Sequence, residues 1–195
     1  MINYIIELYN EFMFASETRD AFSLQVVISL LYLCALVLSV FRAIKNRELF
    51  SDFLSIGVVV TKYLLTSLLM EKVLLYIHNS HAVENAQNVY LALSLFNLLS
   101  LWFLYLLHKN FSYKFGLLFF CVFKLTIVIA IAHFVLWFKF VVLDIQAEHA
   151  YIHYMYSFIV LYISIALAVV MLFPSLLKTR LKLLLSPSWP LRTKN

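Results

Sequence analysis

Residues 115–138 read FGLLFFCVFKLTIVIAIAHFVLWF, an apolar run interrupted by one charged side chain, Lys124. As a helix this run is about 36 Å long, enough to cross the roughly 30 Å hydrocarbon core of a bilayer. Working outward, comparable runs occupy 89–107 and 151–173, the second closed by Pro174, and 21–41 and 53–77, the latter with Lys62 at its middle. The whole chain agrees: 195 residues, 64% hydrophobic and 13% charged, with a mean hydropathy of +0.93. Soluble domains are nearer half apolar and a quarter charged, so a water-soluble globule is excluded. The expected fold is all-α, a polytopic integral membrane bundle of five transmembrane helices.

Three parts follow from this division. Residues 1–20 hold Glu7, Glu11 and Glu17 but no Lys or Arg before Arg19, the wrong charge for the basic start of a signal peptide. Ile2, Ile5, Ile6, Tyr9 and Phe12 recur at helical spacing, so this segment is expected to be an external amphipathic helix at the membrane surface. Residues 21–173 form the bundle, and 174–195 form a basic tail in which Lys178, Arg180 and Lys182 alternate with leucines.

Lys and Arg decide orientation, because short loops rich in them stay on the cytoplasmic side. Arg42, Lys45 and Arg47 follow the first span, Lys109 and Lys114 follow the third, and the tail adds Lys178, Arg180, Lys182, Arg192 and Lys194. The other side holds Arg19 and Lys139, with most of the acids. The N-terminus is therefore expected outside and the C-terminus in the cytoplasm, with a bacterial inner membrane as the default setting. The net charge of +5 is accounted for by orientation and anionic lipid, so no nucleic-acid partner is implied.

Polar groups at membrane depth carry the functional expectation, since each is costly in hydrocarbon. Lys62, Lys124 and Asn97 all fall near the middle of their spans, and no mid-span acid accompanies the lysines. Either the lysines snorkel toward the interface, or the three residues form a shared site for an anionic or carbonyl-bearing ligand or for a carboxylate on a partner's membrane helix. Lys62 and Lys124 are 62 residues apart in the sequence, an offset that also hints at a duplicated hairpin.

A second group lies toward the outer side, where His78, His81, His133, His149 and His153 accompany Glu71, Glu84, Asp144 and Glu148. His149 and His153 are one helical turn apart, and His133 stands close in the topology, so the three could ligate a transition metal, or His133 and His153 on adjacent helices could be axial ligands of a b-type haem. The competing reading is that histidines, like Tyr and Trp, sit well at the wet boundary with no cofactor. No compact ligand motif or nucleophile–base pair favours catalysis. Cys34 and Cys121 lie inside spans and read as packing residues. With two glycines and three prolines in all, the spans lack the breaks on which alternating-access transporters rely. The leading expectation is a non-enzymatic accessory, regulatory or protective-inhibitor protein that recognises another membrane protein through its helices. A small transporter or channel and a haem- or metal-bearing electron-transfer anchor are the alternatives.

Overall fold

The computed structural model describes residues 24–45, 49–80, 87–112, 114–145 and 151–186. They form α1 (Leu24–Ile44), α2 (Phe50–Ser80), α3 (Asn88–Phe111), α4 (Leu117–Trp137) and α5 (Tyr151–Leu172). A π-helical turn, Phe138–Val142, prolongs α4, while a 3₁₀ turn, Pro174–Lys178, and a short helix α6, Lys182–Leu185, follow α5. No strand occurs among the described residues, and all five long helices are long and apolar enough to cross a membrane. The expected amphipathic segment 1–20 and the end of the tail, 187–195, lie outside the described residues.

Helices extend past the apolar runs that announce them, α2 beginning at Phe50 and ending at Ser80, and α3 ending at Phe111. Continuing the helix into the polar boundary keeps each backbone N–H and C=O paired, which explains the overshoot. Consecutive helices run antiparallel and pack side by side, and α1 closes the ring against α5. α4 also reaches α2, which makes it the central helix. Its sequence fits that place, because a helix apolar on every face can be surrounded by protein or lipid without cost.

The outer surface of the bundle is apolar: Leu68 is 57% exposed, Leu98 49% and Phe158 66%. The interior is filled by Ile56, Leu104, Leu118, Leu167 and Met171, each essentially inaccessible. In a bilayer, whose lipid tails are as apolar as leucine, close packing and hydrogen bonds rather than the hydrophobic effect would hold such helices together. The parallel α1–α5 seam shows both. The Tyr32 hydroxyl donates to the Ser164 carbonyl at 3.1 Å, and the Arg42 guanidinium donates to the carbonyls of Leu172 and Met171 at 2.9 and 3.0 Å. Arg42 thus caps the carbonyl end of α5 with a cation, which suits the helix dipole. Between these bonds small residues, Ala35 and Ser39 on α1 and Ala166 and Ala168 on α5, are buried alongside the larger Leu167 and Val170.

At the same end of the bundle α2, α3 and α4 are tied by one polar cluster. His108, fully buried, places Nδ1 2.8 Å from the Leu104 carbonyl and Nε2 3.0 Å from the Ser51 carbonyl, with the Ser55 hydroxyl at 3.3 Å. The Gly116 N–H donates to the Ser51 hydroxyl at 2.8 Å, and the rings of Phe115 and Phe119 pack on the His108 imidazole. A side chain at Gly116 would displace the Asp52 carboxylate and crowd the Ser51 hydroxyl, so glycine eases the approach of α4 to α2.

The described part of the tail, 174–186, is packed on the bundle. Leu177 is 2% exposed, the Cys121 thiol donates to the Leu185 carbonyl, and the Tyr162 hydroxyl donates to the Leu184 carbonyl. Two backbone acceptors left over by the short α6 are thereby satisfied.

Candidate functional site: a cleft between α2 and α3

A cleft of about 430 Å³ opens between α2 and α3 on the outside of the bundle. Its floor and walls are almost entirely apolar, among them Phe53, Leu65, Phe96, Trp102 and Leu107. From Phe53 to Leu65 it follows α2 for about 18 Å, or some three helical turns. Gly57 creates much of this space: nothing lies within 4 Å of the position a Cβ would take there. The missing side chain is a groove in the helix surface.

Polar groups gather at the end of the cleft nearest Leu65. The Lys62 ammonium, half-buried, donates to Asn97 Oδ1 at 3.1 Å. Asn97 is held in turn by donating from Nδ2 to the Leu93 carbonyl at 2.7 Å, and its own carbonyl accepts the Ser100 hydroxyl at 2.7 Å. Ser94, one turn away, donates to the Ala130 carbonyl of α4 at 2.9 Å and fixes α3 against the central helix. An ammonium has three N–H groups, and Asn97 is its acceptor among the described residues, which leaves two for an incoming acceptor.

Antiparallel pairing of α2 and α3 puts Lys62 and Asn97 at one level, the juxtaposition their depths suggest. Lys124 stands elsewhere. The Ser51–Gly116 bond sets a register of 65 residues between the parallel helices α2 and α4, not 62. Lys124 is therefore about 5 Å nearer the helix starts than Lys62. A helical side chain also leans toward its own N-terminus, and Lys124 lies in electrostatic reach of Cys121 and of Lys182 on the packed tail.

His133 does come near the cleft residues, in electrostatic reach of Lys62, with Nδ1 2.8 Å from the Tyr156 hydroxyl of α5. His149 and the side chain of His153 lie outside the described residues, so the expected three-histidine set is not described as a set. Among the described residues no group of three or more His, Cys, Asp or Glu side chains is placed to hold a metal ion.

Two contributors had little sequence signal. Gly57 is one of only two glycines, yet a helical glycine gives no hint of which neighbour it faces. His108 is a lone histidine in the last turn of a span, where it resembles any boundary residue. Only the antiparallel return of α3 brings it onto Ser51.

The arrangement offers an elongated apolar surface with one fixed cationic donor at mid-depth. Such a surface can bind and discriminate, but it brings together no nucleophile with a base and orienting acid. Compared with protein-family models, curated proteins and solved structures, the chain matches none.

Proposed function

We propose that this chain is a non-catalytic, multi-pass protein of the bacterial inner membrane, N-terminus outside and C-terminus in the cytoplasm, that recognises another membrane protein through the α2–α3 cleft. The observation that carries the reading is the Lys62 ammonium, held by Asn97 at the inner end of an apolar cleft about three helical turns long. Knobs from one face of a partner's membrane helix fit such a groove, and a carboxylate or carboxamide at mid-depth would take the remaining Lys62 donors. A lipid acyl chain answers the geometry less well, because its methyl end would leave the ammonium facing hydrocarbon. Charge sets specificity here: a partner helix without an acceptor would strand Lys62, while the right one neutralises it.

Purification from the native membrane in mild detergent, followed by mass spectrometry, tests the proposal. A stoichiometric membrane protein with a polar or acidic residue inside one span is expected, lost in a Lys62→Leu variant that still folds. Equal recovery of the partner with Lys62→Leu would overturn the cleft as the contact. Orientation is tested separately with a reporter fused after Asn195, expected to be silent if it reports only from the periplasm.

A further inference from the structure

A second cavity, of about 360 Å³, lies where α1 and α5 end and α2 and α4 begin. Its polar lining is Arg42, Lys178, Ser175 and Asp52, and its apolar walls include Leu49, Leu117, Leu172 and Phe173. Among the described residues its lining holds two cations and one carboxylate, a formal charge of +1. The site is built rather than incidental. Arg42 is aimed by its two bonds to the α5 carbonyls, and Ser175 and Lys178 ride on the 3₁₀ turn Pro174–Lys178, which buried Leu177 anchors.

We propose that this cavity binds the phosphodiester headgroup of a membrane phospholipid whose far end is a hydrogen-bond donor, an ammonium or hydroxyl group. A phosphodiester carries one negative charge and several acceptor oxygens, which suit a guanidinium, an ammonium and a hydroxyl converging from two sides. Asp52, in the same lining, then accepts from the donor end of the headgroup. The quaternary ammonium of a choline headgroup has no N–H or O–H to offer it. Lipid rather than free phosphate is indicated by the walls: Leu49 is 60% exposed and Phe173 58%, apolar flanks along which a glycerol and acyl stem can leave. The inference rests on the helices lying in a bilayer but not on the α2–α3 cleft, and a variant of Lys178 leaves that cleft untouched.

The test uses the full chain in detergent, with native mass spectrometry and thermal melting in the presence of dioleoyl phosphatidylethanolamine, phosphatidylglycerol or phosphatidylcholine, or of inorganic phosphate. The first two lipids are expected to bind about tenfold tighter than the choline lipid. Lys178→Gln should weaken them by about tenfold while Lys178→Arg restores most of the affinity, and Ser175→Ala should cost less. Both positions are exposed, so the variants should fold. Equal binding of all three lipids would overturn the headgroup assignment, and binding insensitive to Lys178→Gln would overturn the site. Stabilisation by inorganic phosphate alone, at concentrations matching the lipids, would reassign the cavity to a soluble anion.

Discussion

Two stretches of α2 are treated in opposite ways. Around Ser51 and Ser55 the helix is pressed against α3 and α4, with polar groups converging on one another: hydroxyls, the His108 ring nitrogens and a backbone N–H from Gly116. Around Gly57 to Lys62 the same helix faces the same neighbour α3, yet a cleft is left open and the Lys62 ammonium has, among the described residues, Asn97 as its acceptor. Both stretches contain or contact a glycine, but the Gly116 hydrogen is where another side chain must pass, while the Gly57 hydrogen faces open space. A satisfied polar cluster holds a bundle together, and under the proposed function the groove beside Lys62 is where a partner helix would be held.

That contrast can be broken most forcefully at Gly116. Gly116→Ala should destabilise the protein by about 2 kcal/mol, since the new methyl displaces the Asp52 carboxylate and crowds the Ser51 hydroxyl, and thermal unfolding in detergent reads the loss directly. His108→Leu comes next, at about 1 kcal/mol, because it removes the imidazole's hydrogen bonding between α3 and α2, while the Ser51 carbonyl keeps the Ser55 hydroxyl. The α1–α5 seam responds less: Tyr32→Phe removes a single bond to the Ser164 carbonyl and is expected to cost about 0.6 kcal/mol by the same measurement. Gly57→Leu is the sharpest probe because its stability effect should be the smallest, within about 0.5 kcal/mol, Cβ having room and leucine being the better helix former. The filled groove should nevertheless abolish partner capture from native membranes. A Gly57→Leu protein that unfolds early, or one that still captures a partner, would remove the distinction between the two stretches.

Much of the architecture is legible in the amino-acid sequence because hydropathy is a nearly one-dimensional signal: apolar runs of bilayer length leave little besides five helices. The pairing of Lys62 with Asn97 is legible for a related reason, both residues lying near the middle of consecutive, antiparallel runs. Lys124 resists such counting. Depth measured from the edge of an apolar run ignores the helix-to-helix register, which is set by one contact, Ser51 with Gly116, and by the lean of the side chain toward its own helix start. Arg42 looks in sequence like an orientation marker, yet its guanidinium also closes the carbonyl end of a helix about 130 residues later, a role that no local pattern announces. The same holds for the tail, whose alternating basic and leucine residues suggest a surface segment, whereas Leu177 and Ser186 are buried.

The bonds from Tyr32 and Arg42 have a consequence for how the protein is made. Their acceptors lie at residues 164, 171 and 172, among the last of the described chain to leave the ribosome, while the donors are among the first. Under the proposed membrane topology, α1 is made with a phenol and a guanidinium whose acceptors on α5 are not yet synthesised, and three further long helices follow before they are. Completion of α5 thus supplies these acceptors, and a chain terminated before residue 164 would lack the Ser164, Met171 and Leu172 carbonyls on which the α1–α5 seam closes.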